Sequence, residues 1–184
     1  MKRYRFFFFA LMIFFWSCSA QNLKEEKINT KANKAYSASV KSFTGKLNQT
    51  EYQEIRKRIE TELNTEIPEG KSILINYFQN GKNCIGYGFS EESFKNTINN
   101  SQKISDRISK KYHTKDYFVY SSTAINKEKI ENQQDFILDT GFFQQEIFTL
   151  QENCKAFYIL KSNGEFMTFY GEDYYSEVEA FLEK

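Results

Sequence analysis

Two apolar runs near the end of the chain flank a tight turn, and this pattern constrains the fold most. Residues 156–160 (AFYIL) and 165–170 (EFMTFY) have the length and aromatic composition of strands. Ser162-Asn163-Gly164 lies between them, and Asn-Gly supplies the positive φ angles of a type I′ turn. The sequence therefore predicts an antiparallel hairpin. A helix follows, with a capping box formed by Ser176 and Glu179.

Helices and strands alternate ahead of this hairpin. Apolar spacing predicts a helix from Thr50, capped with Gln53, and a longer helix from Ser90. Short apolar runs at 72–78 and 116–121 predict strands, and residues 127–150 are mixed. Strands joined by helical crossovers pair in parallel as a rule. We therefore expect an α/β protein with a mixed sheet, parallel strands plus the C-terminal antiparallel hairpin, and helices on both faces.

The N-terminus has the pattern of an export signal. Basic residues precede eleven apolar residues at 6–16, whereas a bilayer-spanning helix needs about 20. Residues 15–18 (FWSC) resemble the lipobox of bacterial lipoproteins, which implies that 1–17 are removed and Cys18 is lipidated. Cleavage by an ordinary signal peptidase after Ala20 is the alternative. Either route places the protein in the bacterial cell envelope, and Ser19 resembles an outer-membrane sorting signal.

Residues 18–48 are polar and show no sustained periodicity. They predict a flexible tether that joins the lipidated N-terminus to a single domain at 49–184. A short edge strand around residues 38–43 is the alternative.

Composition excludes several function classes. The formal charge is +1, and no basic stripe is present, so we expect no nucleic-acid partner. One histidine, His113, and three cysteines without paired spacing exclude a His-rich zinc site and a zinc ribbon. We expect no bound metal or cofactor.

Three stretches resemble the thioredoxin-like family, in particular the membrane-tethered TlpA-like redoxins of bacterial envelopes. Residues 70–78 (GKSILINYF) are similar to the central strand of that family, and 118–122 (FVYSS) to its second strand. Residues 156–171, followed by a helix, are similar to its closing hairpin. The resemblance covers about 69–184 and implies a thioredoxin-like fold.

The chain departs from this family at the redox centre. The Cys-x-x-Cys motif is reduced to Cys84, and the loop ahead of the third strand has Cys154 where the family has a cis-proline. The resemblance implies that these two loops meet, which suggests a Cys84–Cys154 disulfide. Such a bridge is either structural or a redox couple with both cysteines catalytic. Two unrelated buried thiols are the alternative.

Three functions remain open. The first is a degenerate, non-catalytic binding module for a protein or peptide, attached to the membrane by its lipid. The second is a thiol–disulfide oxidoreductase or thiol peroxidase that uses Cys84 and Cys154, which would require an exposed Cys84 thiolate near a helix N-terminus. The third is a structural envelope lipoprotein. Residues 172–175 (EDYY) are expected to form a loop over the sheet edge, with partner or sugar contact as the alternative.

Overall fold

The computed structural model describes residues 27–184, so the predicted signal peptide at 1–17 and the lipidation site Cys18 lie outside the described residues. The described elements, in chain order, are α1 (Lys34–Ser39), β1 (Lys41–Lys46), α2 (Gln49–Glu62), β2 (Ser72–Phe78), α3 (Glu91–Lys111), β3 (Thr114–Tyr120), α4 (Lys127–Ile130), β4 (Phe136–Leu138), a π-helical turn (Phe143–Ile147), β5 (Lys155–Leu160), β6 (Glu165–Tyr170) and α5 (Tyr175–Glu183). No helix within 27–184 has both the length and the apolar character to cross a bilayer.

The strands form one mixed sheet in the order β1-β6-β5-β2-β3-β4. β2 and β3 are parallel, as the sequence predicts, and β5 and β6 form the predicted antiparallel hairpin. β4, in the segment 127–150 that the sequence left as mixed, is an additional strand parallel to β3. β5 runs antiparallel to β2, although a crossover had favoured a parallel strand. The reason is that the segment 139–154 between β4 and β5 contains one short π-helical turn and no long crossover helix, so the chain re-enters the sheet from the end at which it left. The arrangement is compatible with a thioredoxin-like fold.

Successive side chains of β2 point to opposite faces of the sheet, and both faces are packed. Ile73, Ile75 and Tyr77 pack on one side with α2 and the π-helical turn. Leu74 packs on the other side with α3 and α5, and Phe78 packs with the start of α3. The predicted helices on both faces are therefore present, and each face of the sheet packs against an apolar cluster.

The N-terminal region is more ordered than a flexible tether. α1 and β1 occupy residues 34–46, and β1 pairs with β6 from Lys41↔Tyr170 to Lys46↔Glu165. The tether prediction is wrong for this segment, and the edge-strand alternative is closer to the structure. Most β1 side chains are exposed, so the strand has no apolar alternation to reveal it. The folded unit thus begins well before residue 49.

Three local predictions were wrong in their details. α2 is capped by Asn48, whose side chain accepts from the Glu51 N–H (3.0 Å), while Glu51 accepts from the Asn48 N–H (2.8 Å). In the hairpin turn only Gly164 has a positive φ, 85°, so the turn is not type I′. α5 begins at Tyr175, and its N-terminus has no side-chain cap, so Ser176 does not start a capping box.

The position of the α2 cap can be tested with a pair of alanine variants. Asn48→Ala should lower the free energy of unfolding by about 1 kcal/mol, because the Glu51 N–H in the first turn loses its side-chain acceptor. Thr50→Ala should change it by less than about 0.5 kcal/mol, since an exposed helical residue is replaced by a better helix former. Urea denaturation of both variants measures the difference. A larger loss for Thr50→Ala would contradict the cap.

Candidate functional site

Two loops meet at the end of the sheet where β2 stops and β5 starts. Phe78, the last residue of β2, pairs with Lys155, the first residue of β5. Backbone bonds continue beyond the strands: the Gln79 N–H donates to the Cys154 carbonyl (2.9 Å), and the Cys154 N–H donates to the Asn83 carbonyl (3.1 Å). The loop after β2 and the loop before β5 are therefore held side by side.

A disulfide between Cys84 and Cys154 joins these loops. The two Cα atoms are 5.1 Å apart, within the range that a disulfide requires. The residues are 4% and 6% exposed. The structure thus contains the pairing that the family resemblance suggested, in place of two separate thiols.

Cys84 does not occupy the environment expected of a reactive thiol. α3 begins at Glu91 after its cap Ser90, six residues beyond Cys84. Cys84 is therefore not part of the first turn of α3. Burial further limits the approach of a substrate. The catalytic role of Cys84 and Cys154 stays a prediction.

Residues 29–39, near the start of the described chain, pack over the two joined loops. The Cys84 N–H donates to the Asn29 carbonyl (2.8 Å), and the Asn29 N–H donates to the Lys82 carbonyl (2.8 Å). Asn153 is fully buried, and its side-chain amide donates to the Ser39 carbonyl (3.0 Å). Residues 29–39 are thereby fixed to both sides of the disulfide.

A partly buried carboxylate lies beside the sulfur atoms. Glu172, just after β6, accepts from the Ile85 N–H (2.5 Å) and the Gly86 N–H (3.3 Å). Its carboxylate and the two sulfurs lie within 4.8 Å of one another. Burial raises the pKa of the Glu172 carboxyl, and the nearby Lys155 ammonium opposes that shift. Burial also lowers the pKa of Lys155, against the attraction of Glu172 and Asp173.

An apolar cavity of about 350 Å³ opens next to the disulfide. Aromatic and aliphatic side chains dominate its wall, with both cysteines, Lys155 and Glu172 at one side. The apolar part of the wall consists of Phe78, Ile85, Phe89, Phe94, Ile98 and Ile125. The cavity lies beyond the carboxyl ends of β2 and β3, the place where open α/β sheets bind their ligands.

Several of these residues were missed by sequence reasoning. The segment 172–175 was expected as a covering loop, yet Tyr174 is 2% exposed and its hydroxyl donates to the Asn76 side chain (2.8 Å). Lys155 is the first residue of β5 and Glu172 lies two residues beyond the end of β6, and these positions are the only signal of their role. Asn29 carried no signal, because it lies in a polar stretch without periodicity.

Comparisons with protein-family models, with curated proteins and with solved structures found no match to this chain.

The close approach of the two loops can be tested at Gly81. A Cβ there would lie 2.5 Å from the Asn153 carbonyl carbon, so Gly81→Ala must push the loops apart. We expect a loss of about 1–3 kcal/mol in the free energy of unfolding and a smaller fraction of disulfide-bonded protein. Gly86→Ala is the matched control, because its Cβ would meet nothing nearer than 3.9 Å. Denaturation and thiol counting measure both variants. Equal behaviour of the two would contradict the packing at Asn153.

Proposed function

We propose that this protein is an envelope lipoprotein whose thioredoxin-like, TlpA-related domain binds a protein or peptide partner without catalytic turnover. The observation that carries the proposal is the buried Cys84–Cys154 disulfide beside an apolar cavity. The crosslink fixes two wall-forming loops, so the cavity is formed before a ligand arrives. Preorganisation of this kind lowers the entropy lost on binding.

The proposed ligand is an extended segment that places one apolar side chain in the cavity. Phe78, Phe89 and Ile98 offer apolar contact, and the cavity volume suits a single aromatic or aliphatic side chain better than a whole helix. Lys155 and Glu172 at the wall supply one charge of each sign for polar groups of the bound segment. The site could therefore contact both an apolar side chain and polar groups of the bound segment.

Thiol–disulfide exchange is the second candidate function, and the position of Glu172 favours it. An incoming thiolate would attack one sulfur, the S–S bond would break, and the departing thiolate would take a proton from the nearby Glu172 carboxyl. A second thiolate of the same dithiol would then release the product as a disulfide. Oxidation of one equivalent of a dithiol per protein disulfide, with Cys84 and Cys154 recovered as thiols, distinguishes this reaction from binding.

The binding proposal is tested by blocking the cavity. Thr97 lines the cavity from α3, so Thr97→Phe should fill it, whereas Asn96→Phe adds the same ring at an exposed position outside the cavity wall. A photocrosslinking amino acid at Phe89 in living cells should give a discrete adduct with an envelope protein. We expect Thr97→Phe to reduce that adduct more than about tenfold and Asn96→Phe to preserve it. An adduct that is insensitive to Thr97→Phe would contradict the proposal.

The second part of the proposal is that a lipid on Cys18 holds this site near the membrane. Cys18 is nine residues from Lys27, where the described chain begins, and nine extended residues reach at most about 30 Å. Asn29 contacts the disulfide loop. A lipidated chain would therefore keep the site close to the membrane surface.

Cys18→Ser should move the protein from the membrane fraction to the soluble fraction, because two or more acyl chains provide stable anchoring. Ser19→Ala is the control and should remain with the membrane. The mass of the mature N-terminus identifies the lipid. Unchanged membrane association of Cys18→Ser, or cleavage after Ala20 in the unaltered protein, would contradict lipidation.

A further inference from the structure

Three potential metal donors from three separate loops converge beside the cavity. They are the sulfur atoms of Cys84 and Cys154 and a carboxylate oxygen of Glu172, all within 4.8 Å of one another. Cys84 follows β2, Cys154 precedes β5 and Glu172 follows β6. The sheet thus gathers donors that are far apart in sequence, which is why no metal-ligand spacing is visible in the sequence.

Reduction of the disulfide makes both sulfur atoms available as metal ligands. A dithiol reductant supplies two electrons and two protons, so that its own two sulfurs form a disulfide while Cys84 and Cys154 become thiols. Binding a divalent cation then releases the two thiol protons, since the metal ligand is the thiolate.

We propose that the reduced form of this site binds one zinc ion through Cys84, Cys154 and Glu172. Two thiolates select a thiophilic cation over magnesium or calcium, and a carboxylate is an accepted third ligand for zinc. This inference concerns a metal site and does not rest on the proposed partner binding.

The geometry suits a zinc ion. Zinc lies about 2.3 Å from sulfur and about 2.0–2.2 Å from carboxylate oxygen, which requires donors roughly 3.5–3.7 Å apart in a tetrahedron. The 5.1 Å between the two Cα atoms allows the sulfurs to separate to that distance by side-chain rotation. The Ile85 and Gly86 N–H groups orient the Glu172 carboxylate, as outer-shell donors commonly do at metal sites.

The surroundings supply an entry path and favour a bound cation. All three ligand residues line the cavity, which leaves the fourth coordination position open to water or to a ligand. Two thiolates and a carboxylate in a desolvated site repel one another, and Lys155 offsets only part of that charge. A divalent cation removes this repulsion.

The test is a cobalt titration of the mature protein carrying Cys18→Ser, so that only Cys84 and Cys154 can supply thiolates. The protein is reduced with a phosphine under argon, and Co²⁺ serves as the spectroscopic substitute for Zn²⁺. We expect a thiolate-to-cobalt charge-transfer band and the visible bands of a tetrahedral ion, saturating at one equivalent and displaced by Zn²⁺. The oxidised protein should give neither band.

Two carboxamide variants separate coordination from general charge. Glu172→Gln should weaken zinc binding by more than about tenfold, as measured by competition with a chromogenic chelator. Glu177→Gln makes the same change at an exposed residue in the first turn of α5, outside the cavity wall, and should leave the affinity unchanged.

The proposal is overturned if reduced protein shows no charge-transfer band. It is also overturned if Glu172→Gln binds as tightly as the unaltered protein. Should Glu172→Gln fail to fold, Cys84→Ser provides the second variant, and charge-transfer intensity equal to that of the unaltered protein would contradict coordination by both sulfurs. Loss of zinc binding with an unchanged crosslink at Phe89 would leave the proposed function intact.

Discussion

The antiparallel pairing of β2 with β5 is the constraint on which the rest of the structure depends. It runs from Ile73↔Leu160 to Phe78↔Lys155 and brings the carboxyl end of one central strand beside the amino end of the other. Every feature of the candidate site follows from that contact, because the loops that continue from Phe78 and lead to Lys155 must then lie together. The disulfide, the packing of residues 29–39 and the cavity wall are built on those two loops. Glu172 reaches them because β6 is the next strand in the sheet.

Much of the fold could be predicted from local patterns. The run 72–78 is mostly apolar and is bounded by Gly70 and Gly81, and these signals predict strand β2 with its observed bounds. The apolar runs on either side of Asn163-Gly164 predict the hairpin, and Ser90 predicts the start of α3. These elements are visible because each buries a continuous apolar surface or has a side-chain cap. The two cysteines were brought together only by the family resemblance, since their spacing of 70 residues carries no signal by itself.

The rest depended on contacts between distant segments. β1 is a strand because the edge of β6 offers it backbone partners, and its exposed side chains carry no period. Asn29 and Asn153 are polar residues whose buried hydrogen bonds exist only after three segments have met. Glu172 lies in an acidic segment that resembles a surface loop, yet two backbone N–H groups and a partly buried position make it part of the site. In each case tertiary structure supplies a partner that local sequence does not reveal.

The most direct test of this account is a thiol count on the mature protein, purified without reductant and alkylated in denaturant before and after reduction. We expect Cys84 and Cys154 to be labelled only after reduction and their peptides to be recovered as a linked pair. The reduced protein should then unfold with a free energy lower by about 4 kcal/mol, the chain-entropy value for a loop that spans 70 residues. Full labelling of both cysteines without reduction would contradict the account, because the two loops would then not be joined.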